Sequence, residues 1–221
     1  MQASMSRQYG GPDALVPDEP AWHAWGAREP SAELRAVRPR IDELLATYYD
    51  TEHLARAGDW MLALAPDAPD HLVVAALLHD VERMVPGGPA MDLGVTPWDD
   101  ADYNGAHTAR SAVVAPTWLL LQDDVPREWL VAVAQPIREH EFGGSPEGDL
   151  MQAADSISFL ETNVPLVVGW ARSERCSIEH ARRKLQWMGE RVRHERGRAI
   201  ARVYMERALR EFDETVGARA A

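Results

Sequence analysis

Four histidines and two aspartates in this chain fall where helical periodicity would turn them inward, and together they form a donor set for transition-metal ions. His53 shares a stripe with Ala57, Trp60, Met61 and Leu64. His79 follows Leu72, Ala75 and Ala76 on a segment that is apolar on every side, and Asp80 stands directly after it in "ALLHDVER". His140 follows Leu130, Val133 and Ile137, while Asp155 lies on the face of Met151, Ser158 and Phe159. His107 shares a more polar stripe with Ser111 and Val114. A buried carboxylate is costly unless it is paired or coordinates a metal, so Asp80 and Asp155 need partners. Any one inward histidine would more often be bonded to a backbone carbonyl. The set as a whole matches the nitrogen and oxygen ligands of one or two divalent ions, iron or manganese first, with zinc, cobalt or nickel also compatible.

Helices must carry those side chains. From residue 31 onward apolar residues recur at helical spacing and no segment alternates with the period of a strand, which predicts an all-α fold. We read Pro39 as opening "RPRIDELLATYY", Thr51 as capping "EHLARAGDWMLALA" and Asp70 as capping "HLVVAALLH". Further helices are expected over 102–121, 126–140 and 148–162, with the turn "GGSPEG" before the last of them. The stretch 85–105, rich in Pro, Gly and Asp, reads as a long loop and as a candidate mobile cover for a site. After Cys176 and Ser177 a helical region runs through Ile178, Ala181, Leu185, Met188 and Val192, continuing past Gly197 through Ile200, Val203, Tyr204 and Phe212. Residues 1–30, with Trp22 and Trp25 as anchors, read as an extended arm, and 31–221 as one helical domain without internal repeats.

Composition narrows the function. With 221 residues, 46% of them apolar, the chain can bury a core without disulfides. The lone cysteine, Cys176, removes a disulfide framework and a Cys-rich zinc site from consideration and suits a reducing compartment. The opening "MQASMSRQYGGPDALVPDEP" has neither the basic start nor the apolar stretch of a signal peptide, and no run approaches the ~18 apolar residues of a membrane span. A cytoplasmic protein without a membrane partner is the expectation. A net charge of −12 argues against binding long nucleic acids. Residues 172–210 nevertheless hold 12 of the 23 basic side chains, which we read as a solvated helix face with partners such as Glu190 and Glu206. Eight tryptophans, several flanked by polar residues, are compatible with a homo-oligomer.

The order of the ligand candidates resembles the HD superfamily of metal-dependent phosphohydrolases. That pattern has a first His, here His53, then a His-Asp doublet led in by "AALLHD", here His79 and Asp80, then a later Asp, here Asp155. The likeness covers 45–165 and implies an HD-type helical bundle to which 170–221 adds further helices. His107 in "GAHTARSAVVAPTWL" and His140 in "PIREHEFGGSPEGDLMQAADSISFLETN" are similar in position to the extra ligands of the two-metal subset, most of all the YqeK-type diadenosine tetraphosphate hydrolases. The resemblance implies one ion held by His53, His79, Asp80 and Asp155, and a second held by His107 and His140 with Asp80 bridging. Arg83 stands where those hydrolases place a lysine, Glu82 where a small residue is common, and "EFGGSPEG" lacks the basic residue they often carry there. These departures leave a dinucleotide polyphosphate specificity open.

The implied reaction is hydrolysis of a phosphoester or phosphoanhydride of a small, nucleotide-like phosphorylated substrate, with two divalent ions activating water and clamping the phosphoryl oxygens. Asp80 would orient the nucleophile and Arg83 would hold phosphate, with Glu82, Arg138 or Glu141 as outer partners. Arg138 is also a candidate to contact substrate, as is Lys184 in "ARRKLQW", the only lysine, if the last helical region packs over the pocket. Plain solvent-facing positions are the alternative for Glu82, Glu141 and Lys184. Two other functions stay open. An HD-fold mixed-valent diiron oxygenase acting on a small alcohol or phosphonate shares this ligand order, and a non-catalytic metal-binding HD module would keep its ion in a site closed to water.

Overall fold

In the computed structural model, which describes residues 29–217, the chain enters its first helix at Ser31. The Ser31 side chain accepts a hydrogen bond from the Leu34 amide, and its own amide donates to Asp70 (2.9 Å). The helices that follow are α1 (Ala32–Leu45), α2 (Thr51–Leu64), α3 (Asp70–Leu78), a 3-10 turn (Val81–Met84), α4 (Ala101–Leu120), α5 (Arg127–Ala132) and α6 (Ala134–Glu139). The chain then forms α7 (Pro146–Thr162), α8 (Val164–Arg172), α9 (Ile178–Glu190) and α10 (Glu195–Gly217). No strand occurs among the described residues, as the periodicity predicts. The expected N-terminal arm, with Trp22 and Trp25, lies outside them except for its last two residues.

The centre of the bundle is α7, whose residues are buried without a break from Leu150 to Leu160. Helices α2, α3, α6, α8, α9 and α10 all pack against it. The nine residues of α3 are apolar nearly all round, so this helix has no solvent face and sits inside the others. Two glycines mark close approaches. A Cβ on Gly58 would stand 2.9 Å from Leu77 Cδ2, where α2 meets α3, and one on Gly197 would stand 2.6 Å from Ala153 Cβ, where α10 meets α7. Helix α10 buries Ile200, Tyr204 and Phe212, with the Tyr204 ring edge-on to Trp60 at 5.4 Å. Each such side chain stabilises by roughly 1.5–3 kcal/mol, so the C-terminal helix is part of the core.

A buried ionic clamp fixes α2 against α7. The Arg56 guanidinium donates to both Glu161 oxygens (2.9 Å each) and to Asp59 (2.7 Å), and the Trp60 indole donates to Glu161 (2.8 Å). His53 lies one turn before Arg56 on α2, and Asp155 precedes Glu161 on α7, so the clamp sets the register between two helices that carry ligand candidates.

Several expected boundaries move for local reasons. Pro39 does not open α1 but lies inside it. Thr51 does not cap α2; Asp50 precedes that helix, and the Thr51 hydroxyl lies 2.6 Å from the Leu45 and Tyr48 carbonyls at the end of α1. Asp70 is the first residue of α3 and ties that helix to Ser31. The expected helix 126–140 is broken at Val133, because Pro136 has no amide to donate to the Ala132 carbonyl. Helix α7 starts at Pro146, two residues earlier than expected, with Ser145 as its cap. The last helical region is two helices, divided at 191–194. No helix among the described residues is long and apolar enough to cross a membrane.

Candidate metal centre

Five helices and the 3-10 turn bring the six ligand candidates together. His53 comes from the first turn of α2, His79 from the C-cap of α3, Asp80 from the residue before the 3-10 turn, His107 from α4, His140 from the C-cap of α6 and Asp155 from the middle of α7. All six are buried. Neighbouring imidazole rings are 5.2 Å apart for His53 and His79, 5.0 Å for His79 and His140, and 5.2 Å for His107 and His140.

Each histidine has its Nδ1 engaged on the outside of this cluster. His79 and His140 direct Nδ1 to backbone carbonyls, of Ala76 at 2.8 Å and Ile137 at 2.7 Å, three residues back in each case. His107 Nδ1 meets Glu82 Oε1 at 2.8 Å. His53 Nδ1 lies 2.8 Å from the Ser158 hydroxyl, which itself donates to the Asp155 carbonyl and must therefore accept from the imidazole. Partners of this kind fix the tautomer with Nε2 deprotonated and free to ligate. Four Nε2 atoms are left pointing inward.

The two aspartates divide them. Asp155 Oδ1 lies 3.3 Å from His53 Nε2 and 3.4 Å from His79 Nε2. Asp80 Oδ1 lies 2.9 Å from His107 Nε2, 3.8 Å from His140 Nε2 and 3.9 Å from His79 Nε2. Three overlapping triads, His53 with His79 and Asp80, His79 with His140 and Asp155, and Asp80 with His107 and His140, each hold their donor atoms within 4.8 Å of one another. His79 Nε2 is buried and makes no aligned hydrogen bond, although Asp155 is close. An orphaned imidazole nitrogen in a buried cluster of nitrogen and oxygen donors fits a bound cation. Overlapping triads that share Asp80 fit two.

Opposite charges around the cluster offset much of the cost of burial. Burial opposes the Asp80 carboxylate, yet Arg83, His79 and His107 hold its pKa well below the ordinary value. Asp155 is likewise held well down, against its burial, by Arg191, His53 and His79. Burial also disfavours a charged His79, but Asp80 and Asp155 outweigh it and raise the pKa to about 9. Burial wins at His140, which falls to about 4. Without metal, therefore, a protonated His79 is favoured, and ligation there would have to displace the proton.

A cavity of about 640 Å³ reaches the cluster, and His53, Asp80 and Asp155 form part of its wall. Arg83 lies along one side, with Nε 2.9 Å from Asp80 Oδ2, Nη1 3.0 Å from the Tyr103 hydroxyl and Nη2 3.3 Å from His107 Nε2. The loop before α4 runs over the cavity and contributes Val85, Met91, Leu93 and Trp98 to it. It spans 85–100 rather than 85–105, and it is pinned at both ends. Arg110 donates to the carbonyls of Val85, Pro86 and Gly87 (3.0, 2.8 and 2.9 Å), and the Trp98 indole donates to the His180 carbonyl (2.8 Å).

The other expected site residues divide clearly. Glu82 is 2% exposed and supports His107 and Arg110. Glu141 is buried, 3.7 Å from His140 Nε2. Lys184 is half-buried on the cavity wall, with Trp187, Phe159 and Trp98 around its ammonium. Arg138 lies on the exposed side of α6 and is not part of that wall, because Ile137 and His140 take the inward positions of this short helix.

Besides Lys184, a second participant comes from the basic stretch expected to be a solvated face. Arg191, at the C-cap of α9, has a side chain only 5% exposed and bridges Glu141, Asp155 and Ser156, with its guanidinium stacked on Trp187 at 4.5 Å. It occupies Asp155 Oδ2 and leaves Oδ1 to the histidines. Nothing in "ERVRHER" separates this arginine from its neighbours; only the end of α9 does. Comparison with protein-family models, curated proteins and solved structures finds no match to this chain.

Proposed function

We propose that the chain is a metal-dependent phosphohydrolase of the HD type that cleaves a phosphoester or phosphoanhydride of a small phosphorylated substrate. The observation that carries this reading is the pair of ligand sets around Asp80 and Asp155, each imidazole already oriented through Nδ1. His53, His79, Asp80 and Asp155 would hold one ion, and His107 and His140 with Asp80 a second. Bound there, divalent ions would lower the pKa of a coordinated water from about 15.7 toward neutrality and offset phosphoryl charge. The protein's own groups supply the remainder. Arg83, anchored by Asp80 and Tyr103, presents a planar guanidinium suited to two phosphate oxygens at once. Met91, Leu93, Phe159 and Leu166 give the cavity an apolar wall that keeps water from the body of a substrate. Its volume suits a small molecule and not a polymer. A purely structural metal module would keep the centre closed, whereas here the cavity reaches Asp80 and Asp155.

The test begins with elemental analysis of anaerobically purified protein, which should find one to two transition-metal ions per chain. Phosphate release from a panel of nucleotides and phosphomonoesters, with manganese, cobalt or ferrous iron, should then be lost in Asp80→Asn. Absence of bound metal after reconstitution ends the proposal. Oxygen uptake with a mixed-valent iron signal and no phosphate release would replace it with the oxygenase reaction.

A further inference from the structure

Every basic residue of this chain but one is an arginine, and the exception, Lys184, stands on the cavity wall. Its ammonium lies 4.4 Å from the centre of the Trp187 ring, 4.9 Å from Phe159 and 5.4 Å from Trp98. Among the described residues it makes no hydrogen bond and no ion pair. Contacts with ring faces stabilise the charge but use none of its three N–H donors, which are left to the cavity.

The charge of the site points the same way. Four carboxylates, Asp80, Glu82, Glu141 and Asp155, are set against four cations, Arg83, Arg110, Arg191 and Lys184. With the imidazoles neutral, as ligation requires, the set is electroneutral before any metal enters. Two divalent ions would add four positive charges, and the dianion of one phosphate monoester offsets half of them. Arg83 approaches from the α4 side through Tyr103 and Lys184 from α9 beside Phe159, so the two cations have different neighbours, while Asp50 and Arg175, which also border the cavity, cancel in charge.

We infer that Lys184 forms a second anion subsite beside the metal centre, which selects substrates bearing a further carboxylate or phosphate in addition to the group that reacts. The inference rests on the phosphohydrolase reading for the reacting group, but the subsite can be tested without turnover. Trp98 and Trp187 are built-in fluorescent reporters beside the ammonium. The metal-loaded protein is titrated, by tryptophan fluorescence and calorimetry, with ω-carboxyalkyl phosphonates of three chain lengths and with the alkyl phosphonates of equal length. At least one carboxylate compound should bind at least tenfold tighter than its alkyl counterpart. That advantage should fall below threefold in Lys184→Met and partly return in Lys184→Arg, with Lys184→Gln repeating the measurement if the methionine variant does not fold. An advantage at no chain length, or one that survives the loss of the ammonium, overturns the subsite. If the advantage is found but no phosphoester is hydrolysed, the subsite stands and the reaction falls; hydrolysis without the advantage is the reverse.

Discussion

Replacing Arg191 with methionine would leave the apolar stem on Trp187 but remove the cation from between Glu141 and Asp155. In metal-free protein the two buried carboxylates would then have no cation bonded to both. Breaking a buried pair from one side typically costs about 3–5 kcal/mol, and the low exposure of Arg191 puts it in that class, not among surface pairs worth under ~1 kcal/mol. Urea unfolding of the chelator-treated protein measures the loss, provided both proteins unfold in one transition. Two controls separate charge from packing. Adding Glu141→Gln to Arg191→Met removes one stranded charge and should recover about 1–2 kcal/mol. Acidification should do the same. Arg191 lowers the folded-state pKa of Glu141 and Asp155 against their burial, so its contribution is present above the unfolded values of 4.5 and 3.8 and is lost as pH falls through the folded ones. The gap between parent and variant should therefore narrow below those values. A loss under 1 kcal/mol, or a gap that stays constant with pH and with Glu141→Gln, would refute the clamp as an electrostatic device.

Glu82→Gln should weaken the site built on His107 and His140 while sparing the one built on His53 and Asp155, because among the four imidazoles the carboxylate holds that of His107 alone. Removing such an outer partner typically lowers metal affinity about 10–100-fold, so calorimetric titration should show one weakened equivalent beside one unchanged; two weakened equally would contradict the assignment. Lys184 should titrate near pH 8, since burial lowers its pKa, Arg191 and Arg83 add to that, and Glu141 and Asp155 oppose it. As the only lysine, it gives a single side-chain resonance after reductive methylation with labelled carbon, apart from the chain's terminal amine. A folded pKa below the unfolded 10.5 means the charge costs stability below pH 8 and nothing above 10.5. Lys184→Met should therefore stabilise by about 1–2 kcal/mol at pH 7, discounted for the partial exposure of the ammonium, and the gain should fade between those values. A midpoint at 10 or higher would remove the basis for this prediction.

The ligand set is legible in the sequence because each member sits in phase with apolar neighbours on its own helix, and helical phase is a local property. Six residues converge because each is inward on its own element. The partners that orient them are less legible. Ala76 and Ile137 act through backbone carbonyls, which carry no signature of residue type. Glu82 reads equally as an outer partner or a surface residue until the 3-10 turn directs it under His107. Arg191 is hidden among basic residues of the same kind, and its burial depends on where α9 stops and on the packing of α10 upon α7 at Gly197 and Ala153. Arg138 shows the converse: a suitable residue type near a ligand, two positions before His140, but on the outward side of its helix.

The C-terminal helices therefore belong to the site as much as to the core. A permanent cation beside a candidate metal centre would repel an incoming ion. Its value lies in the metal-free state. Asp80, Asp155, Glu82 and Glu141 together would be a prohibitive buried charge, and Arg83, Arg110 and Arg191 with Lys184 offset all of it. Small metallo-domains whose ligands have no other partners remain unfolded until metal arrives. Here each carboxylate has a cation and each imidazole a partner at Nδ1, so the fold can close first, with one oxygen of Asp155 held by Arg191 and the other presented to His53 and His79. Metal loading would then be a separate step, in which the added positive charge would need an anion to balance it, and the cavity beside Arg83 and Lys184 is where that anion would enter.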